Sequence, residues 1–482
     1  MILPVTSISF MLCTAVINVK RIKELNSRIK ELSRIAGEII EENISSINKS
    51  IQISRREYEQ RWRKVQESMS AKGYDLLYVC GSELDRSDAA WLTGAFDPMI
   101  ERYSVILPLE GKPIILAGSE GGHVLEEAAE KSGAEIALLR EFQISDEEYR
   151  WAKFVSLDKI LSQIGISKRG SKVAVASPAE VLPYAQLSML ESHFGEENVI
   201  FDPDLLRLIK YEKSDTELAI MQEANKIAEA ALRGMLAVTL PGFTELQVAS
   251  VGDFIMKALG AGRTGFCTIV TSGERGYTVI GPATGKVIQK GEIVSLGVSP
   301  TFNGYHGVIR RTVRAGEEPS LEQRKFIKAV EDLYVTVMEA VKEAARENLP
   351  SNYIDQKGKE FLERLKLRSL YGDLRTPHEP YTFIHNMGCS ECQEGYGAVT
   401  PYTENPLGNQ VSLAIDVALL GFEERGKPVF PVLYAVVEDA FWKKGSQIGV
   451  YNRMPLNVQH LVGNTQPIGD EVNPYHREFK FK

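Results

Sequence analysis

The chain has 482 residues, a formal net charge of −8 and 44% hydrophobic residues. This composition is typical of a globular protein large enough for two or three domains, and its mild acidity gives no support to binding of nucleic acid or anionic membranes. The five cysteines are sparse and odd in number, which disfavours a secreted disulfide scaffold and favours a reducing, cytoplasmic compartment.

The first twenty residues, MILPVTSISFMLCTAVINVK, are apolar and about as long as the shortest membrane helices. They lack the positively charged N-terminal region of a signal peptide. Pro4 and several β-branched residues also lower their helix propensity. We interpret them as an over-extended start or a leader, with a targeting or anchor segment as the alternative. The charged residues that follow predict an amphipathic helix packed on a partner or on the fold surface, so that residues 1–50 form an extension.

A different pattern begins near Ile51. A helical run, SRREYEQRWRKVQESMSAKGY, ends near Gly73. Four apolar runs follow, DLLYVCG, YSVILPL, KPIILAG and SKVAVAS, with a helical stretch before the last. Short strands that alternate with helices predict a small α/β domain over residues 51–205.

The second half contains three capping boxes, SDTE at Ser214, TELQ at Thr244 and SLEQ at Ser320. The first two open a pair of helices, and the strand-like runs FCTIVTSG and GEIVSLGVSP follow. The third opens a second helix pair, which precedes YTFIHNMG and NQVSLAIDVALL. This recurrence predicts an internally duplicated α+β domain over residues 206–482, with a ligand site between its halves.

The stretch FIHNMGCSECQEG, residues 383–395, gathers one histidine, two cysteines and two glutamates. A structural zinc site needs four ligands, and the chain has no second C-x-x-C. A redox pair needs this motif at a helix N-terminus in a different fold. We therefore predict a pocket wall, with His385 as base or ligand and Cys389 as packing. Cys392 borders the ligand and becomes a nucleophile if its pKa falls.

Several strings in the second half occur in the order found in a known family. They are DPDLLRLIKYEKSDTELAIMQEANKIAEAAL, KGEIVSLGVSPTFNGYHGVIRRT, HNMG, LAID and VVED. Together they resemble the creatinase/prolidase/aminopeptidase P family over about residues 51–445. The resemblance implies an α/β N-terminal domain followed by an α+β pita-bread domain. It also implies a small-molecule substrate and a homodimer in which one N-terminal domain lies near the partner's cleft.

Peptidases of this family bind two divalent metals through two Asp, one His and two Glu, which suits a water-activating metal pair. The resemblance assigns the five positions here to Ser295, Val308, His385, Asp416 and Glu438. Valine has no ligand atom, serine is a poor substitute for a bridging carboxylate, and Asp416 is one carbon shorter than glutamate. We therefore expect a degenerate site that needs no cofactor, with a divalent metal disfavoured.

The motif pattern lies closer to creatinase, the metal-free branch of the family. The serine, the longer spacing to GYHG and the Arg-Thr after it are the creatinase-like features. Other creatinase positions differ. The position of creatinase's base histidine is occupied here by Val279 or Ile280. Its substrate-binding glutamate corresponds to Arg310, and its second histidine corresponds to Cys392.

If residues 306–311 form one strand, alternation places His306, Val308 and Arg310 on one face. That face would make the pocket cationic, and the fork of Arg310 would suit a carboxylate. The alternative is an Arg310 paired with Asp416 or Glu438, which would fill the metal space with a salt bridge.

These observations predict a metal-independent hydrolase or lyase of a small amino-acid-like, guanidino or amidino compound. The expected catalytic residues are His385, Cys392, Asp416 and Glu438, and the expected substrate contacts are His306, Arg310 and Glu394. One alternative is a non-catalytic binding or interaction member of the family. Another is an Xaa-Pro-type metallopeptidase with an atypical site.

Overall fold

A computed structural model describes residues 26–144, 149–167, 170–392 and 394–481. The apolar leader lies outside these residues. Helix α1, residues 26–43, belongs to the predicted extension. It buries Ile35 and Ile39 against the chain's own core, and Glu42 accepts two hydrogen bonds of 2.9 Å from the Arg233 guanidinium. The helix therefore packs on the surface of the fold itself. Across the described ranges, no helix is long and apolar enough to cross a membrane.

The N-terminal region folds around a six-stranded mixed sheet with the strand order β4-β3-β2-β1-β5-β6. Its strands are β1 (Leu76–Gly81), β2 (Tyr103–Pro108), β3 (Ile114–Ala117), β4 (Glu135–Leu138), β5 (Val173–Val175) and β6 (Val199–Phe201). Its helices are α2 (Arg55–Lys72), α3 (Ser87–Thr93), α4 (Ser119–Ser132), α5 (Leu157–Gln163) and α6 (Tyr184–Phe194). Helix α2 begins at the Ser54 cap and ends where Gly73 adopts a left-handed conformation, as the sequence predicts.

The second region is built on a seven-stranded sheet with the order β14-β15-β18-β11-β8-β7, in which β19 also pairs with β18. The sheet strands are β7 (Ile269–Ser272), β8 (Ile293–Val298), β11 (Ile309–Arg314), β14 (Ile384–Asn386), β15 (Gln410–Leu420), β18 (Tyr434–Lys444) and β19 (Gln447–Val450). Outside it lie the short pairs β9 (Thr301–Phe302) with β10 (Tyr305–His306), β12 (Leu367–Arg368) with β13 (Leu374–Arg375), and β16 (Phe422–Glu424) with β17 (Lys427–Pro428).

Two helix pairs cover this sheet: α8 (Asp215–Ala237) with α9 (Glu245–Leu259), and α10 (Leu321–Glu347) with α11 (Asn352–Arg364). Helix α7 (Pro203–Tyr211) precedes them and packs on α2. Helix α8 contacts β8 and β11, α9 contacts β7, and α10 contacts β15 and β18. The capping boxes at Ser214, Thr244 and Ser320 all form. The predicted duplicated α+β fold is confirmed, and its halves meet where β11 pairs with β18. The exact domain boundaries stay a prediction.

The expected single strand from His306 to Arg311 is interrupted. His306 belongs to β10, which pairs only with β9, whereas Arg310 lies in β11 of the large sheet. At Gly307 between them, an added Cβ would lie 2.5 Å from the backbone carbon of Ala224. The chain therefore passes so close to α8 that position 307 has no room for a side chain. The alternation that would place His306 and Arg310 on one face does not hold.

A buried network joins the two regions. The Arg61 guanidinium of α2 donates a 2.9 Å hydrogen bond to the Tyr305 hydroxyl and lies 3.3 Å from the Glu217 carboxylate. The Trp91 indole nitrogen donates to the same carboxylate at 3.0 Å. Because these charges are buried, separating the regions would leave them unpaired. The network therefore fixes the orientation of the N-terminal region over the second one.

Candidate active site

The candidate site is a row of residues that runs across four neighbouring strands. Gly297 of β8 lies opposite Arg310 of β11, Arg310 lies opposite Glu438 of β18, and Glu438 lies opposite Asp416 of β15. Directly opposite residues share a face of the sheet. The register therefore brings one guanidinium and two carboxylates together where the halves of the sheet meet.

His385 joins this row from the edge strand β14. It lies opposite Ala414, two residues before Asp416 on β15, and its Nε2 is 3.5 Å from a Glu438 carboxylate oxygen. Ligand atoms of His385, Asp416 and Glu438 all lie within 4.8 Å of one another. Over the described part of the chain, no other group of three or more His, Cys, Asp or Glu is arranged to hold a metal ion.

Burial sets the protonation of these three groups. It raises the pKa of Glu438 and of Asp416, and the two neighbouring carboxylates reinforce the effect on Glu438. Burial opposes the charged form of His385, but the hydrogen bond to Glu438 and the nearby carboxylates outweigh it and raise the pKa of His385 to about 9. Without a bound cation, the imidazole therefore holds a proton at neutral pH. Both roles expected for His385, base or ligand, need the neutral imidazole, so this proton must leave before either role is possible.

Arg310 is buried and held from several elements. Its Nη1 donates to the Tyr381 hydroxyl at 3.1 Å and lies 3.5 Å from Asp416, its Nη2 donates to the Val279 carbonyl at 3.1 Å, and its Nε lies 3.7 Å from Glu438. The side chain therefore pairs with both carboxylates of the site. This is the alternative arrangement that the sequence left open.

Two tyrosines in the site were missed by the sequence analysis. The Tyr434 and Tyr381 hydroxyls lie 2.7 Å apart, and the Tyr381 hydroxyl donates to Asp416 at 3.0 Å. Tyr381 lies four residues before His385, and Tyr434 lies four residues before Glu438. Since residues four apart on a strand share a face, alternation back from Glu438 along β18 could have found Tyr434, whereas Tyr381 precedes β14 and has no such signal.

A cavity of about 760 Å³ lies between the two regions, and none of His385, Asp416 and Glu438 lines it. Residues of both line it, including Arg86 and Ser177 from the first, and His306, Glu391 and Cys392 from the second. The Glu391 carboxylate lies 3.8 Å from His385 Nε2. Glu391 therefore connects the cavity to the cluster.

Cys389 and Cys392 form part of the cavity wall, but burial disfavours their thiolate forms. Burial, followed by the charge of Glu391, raises the pKa of Cys392 to about 12. Burial likewise raises the pKa of Cys389 to about 12. A nucleophilic cysteine needs the opposite shift. The geometry therefore gives no support to the expected catalytic role of Cys392.

Glu394, an expected substrate contact, is engaged elsewhere. Its two carboxylate oxygens lie 3.3 Å from the buried ammonium groups of Lys210 and Lys213, and the Cys389 amide donates to it at 2.8 Å. This arrangement favours a structural role.

His306 does line the cavity, but it is not cationic. Burial, followed by the charge of Arg86, lowers the pKa of His306 to about 4. Its imidazole is therefore neutral at neutral pH.

The register also corrects the position assigned to Ser295. Ser295 lies opposite Thr312, whereas Gly297 lies opposite Arg310. Ser295 is thus two residues away from the row of charged groups, and Gly297 is the β8 residue in that row. Val308 precedes β11 and is fully buried, with its amide donating to Asn225.

Comparisons with known proteins cover most of the chain. Residues 61–209 match the Creatinase/Prolidase N-terminal domain, and residues 219–427 match Metallopeptidase family M24. The Xaa-Pro dipeptidase of Pyrococcus furiosus is 27% identical over 291 residues, which cover 59% of this chain and 73% of that protein. The uncharacterized peptidase YqhT of Bacillus subtilis is 35% identical over 159 residues, which cover 33% of this chain and 40% of that protein.

Solved structures share the fold. A prolidase from Pyrococcus horikoshii superposes with a TM-score of 0.63 at 18% identity, and the match covers 84% of this chain and all of that chain. An X-Pro aminopeptidase from Thermotoga maritima gives a TM-score of 0.65 at 18% identity, covering 83% of this chain and 99% of that chain. These matches confirm an N-terminal α/β domain and a pita-bread domain. They do not confirm the creatinase-like, metal-free branch.

The expectation that the site needs no cofactor is wrong. The chain matches a metallopeptidase family, and it retains an imidazole and two carboxylates with ligand atoms within 4.8 Å. This donor set suits a divalent transition metal, and three protein ligands with open positions are typical of a catalytic ion. The residues present therefore fit one ion. For a second ion, the row offers only Gly297, which has no ligand atom, and the cation Arg310.

Proposed function

Because the chain belongs to the creatinase/prolidase/aminopeptidase P family, a family of hydrolases that act on C–N bonds, we propose that it is an Xaa-Pro-type metallopeptidase with an atypical site. The observation that carries this proposal is the convergence of His385, Asp416 and Glu438, which Glu391 joins to a cavity between the two regions. The proposal replaces the metal-independent reaction expected from the sequence.

In this proposal, His385 Nε2 and the carboxylates of Asp416 and Glu438 hold one divalent ion. When bound, the ion supplies Lewis-acid polarisation of the scissile carbonyl oxygen. The Tyr381 hydroxyl, which donates to Asp416 at 3.0 Å, orients that ligand. Arg310 offsets part of the negative charge of the two carboxylates.

Glu391 is the proposed proton acceptor. Its carboxylate lies at the boundary between the cavity and the cluster, 3.8 Å from His385. In contrast to Asp416 and Glu438, it has no ion pair with Arg310 within the described residues. A carboxylate that faces both the substrate space and the reacting centre can receive a proton from water and pass it to a leaving amine.

The substrate class we propose is a short peptide. A cavity of about 760 Å³ lies in the size range of small-molecule sites, and relatives of this chain carry the names Xaa-Pro dipeptidase and dipeptidase. We also propose a homodimer, from the family resemblance, and a cytoplasmic location. The location rests on the sparse cysteines, four of which are free in the described structure.

Hydrolysis of Xaa-Pro dipeptides tests the proposal. After incubation with Mn²⁺, Co²⁺ or Zn²⁺, the full chain should release free proline, and the His385→Ala variant should lose activity by at least about 10²-fold. His123→Ala, which changes an exposed ring on α4, is the matched control and should retain activity. The proposal fails if no Xaa-Pro peptide is cleaved with any of these ions, or if His385→Ala cleaves as fast as the wild type.

A second candidate, the non-catalytic binding member of the family, is favoured by one observation. Arg310 lies 3.5 Å from Asp416 and 3.7 Å from Glu438. In a member of the family without catalytic activity, we expect such a salt bridge to fill the metal space. The same assay separates the two candidates, since a binding member would release no proline with any ion.

A further inference from the structure

The side chain of Arg310 lies over a residue that has none. Gly297 faces Arg310 across the β8–β11 pair, and a Cβ added at Gly297 would lie 2.6 Å from Arg310 Cγ and 3.2 Å from Cδ. The backbone of Gly297 does not have a positive φ, so its conformation does not require glycine. Glycine is required at this position because the aliphatic part of the Arg310 side chain occupies the space that a Cβ would need.

The guanidinium is held by a strained piece of backbone. The Val279 carbonyl accepts a hydrogen bond from Arg310 Nη2 at 3.1 Å. The backbone of Val279 has φ 63° and ψ −61°. The Ile280 amide bonds back to the Thr278 carbonyl at 2.6 Å, which closes a γ-turn around Val279. Such a turn is costly for a β-branched residue and persists only where its surroundings require it. The turn aims the Val279 carbonyl at Arg310.

We infer that the Arg310 guanidinium serves as the second cation of this site, in a space that the absence of a side chain at Gly297 leaves open. The inference rests on the proposed single-ion site of His385, Asp416 and Glu438. The nitrogens of Arg310 lie 3.5 and 3.7 Å from the Asp416 and Glu438 carboxylates, so the guanidinium places its positive charge beside both of them. A second divalent ion would meet a fixed, buried positive charge there.

Arg310 also retains an unused donor. Its Nε is buried and has no hydrogen-bond partner within the described residues, although Glu438 is 3.7 Å away. At this distance Arg310 Nε and Glu438 interact through their charges rather than through a hydrogen bond.

Counting ions in matched variants tests this inference. In Gly297→Asp/Val308→Asp/Arg310→Ser, carboxylates replace the cation, and the full chain should hold about one divalent ion more than the wild type after Mn²⁺ loading and dialysis. In the size-matched Gly297→Asn/Val308→Asn/Arg310→Ser, the ion count should equal that of the wild type. An equal count in the carboxylate and amide variants overturns the inference. A wild type that holds no ion contradicts the proposed function and removes the premise of the inference, whereas equal counts beside a wild type that holds one ion overturn the inference alone.

A thermal measurement keeps the inference testable if the triple variants do not fold. Gly297→Ala should lower the Tm by several degrees in the wild type, because its Cβ meets the Arg310 stem at 2.6 Å. In the Arg310→Ser background, the same substitution should have a much smaller effect, since the stem is gone. Equal Tm changes in the two backgrounds would show that Gly297 and Arg310 are not coupled, and would overturn the inference.

Discussion

His306 should make the folded chain less stable as the pH falls from about 6.5 to about 4. Its ring is buried, with Nδ1 3.3 Å from the Ser299 hydroxyl. Burial, followed by the charge of Arg86, lowers its pKa from 6.5 to about 4, although the charge of Glu394 opposes this shift. Below pH 6.5 the unfolded chain therefore binds a proton that the folded chain excludes, and this stabilises the unfolded state.

The magnitude follows from the two pKa values. With 6.5 in the unfolded chain and about 4 in the folded chain, His306 should cost about 2 kcal/mol at pH 5 relative to pH 8, and about 3.4 kcal/mol well below pH 4. In His306→Asn this pH-dependent part disappears, and the amide can still reach the Ser299 hydroxyl. The stability difference between wild type and variant should therefore shift by about 2 kcal/mol in favour of the variant between pH 8 and pH 5.

Urea unfolding at pH 8 and pH 5 measures this shift. His123→Gln, which replaces an exposed ring, serves as the control, and its difference from the wild type should stay nearly constant between the two pH values. A difference between wild type and His306→Asn that is also constant would refute the reasoning, because it would mean that His306 takes up its proton equally in the folded and unfolded states.

Three further outcomes are expected. Glu394→Gln should lower the free energy of unfolding by about 3–5 kcal/mol, because it removes the carboxylate paired with buried Lys213 and leaves buried Lys210 with Asp88 alone. Urea unfolding should show a far smaller loss for Glu424→Gln, which alters an exposed ion pair. Cys392→Ser should keep peptide turnover within a few-fold in the proline-release assay, since a thiol with a pKa of about 12 is protonated. Loss of nearly all turnover would instead support Cys392 as a nucleophile. Light scattering at micromolar concentration should give the mass of a dimer, and a clean monomer mass would contradict the proposed assembly.

Local chemistry made most of the fold predictable. The capping boxes at Ser214, Thr244 and Ser320 form because each needs only residues three apart. The ordered motifs also identified His385, Asp416 and Glu438, which the register of β14, β15 and β18 brings together. For these positions, short-range pattern and motif order were sufficient.

The errors arose where the structure depends on pairing between distant segments. Ser295 and Gly297 are two residues apart on β8, and only the register with β11 shows which of them faces Arg310. Glu394 could not be assigned from its neighbours, since its partners Lys210 and Lys213 lie more than 180 positions earlier in the chain. The neutral state of His306 likewise depends on burial, which sequence alone does not give.

The metal content of the chain tests the central claim most directly. After loading with Mn²⁺ and exhaustive dialysis, elemental analysis should find about one divalent ion per wild-type chain, and close to none in Asp416→Ala, which removes one of the three converging ligands. His123→Ala should match the wild type. A wild-type chain that holds no ion, or an Asp416→Ala variant that holds as much as the wild type, would contradict a metal site at His385, Asp416 and Glu438.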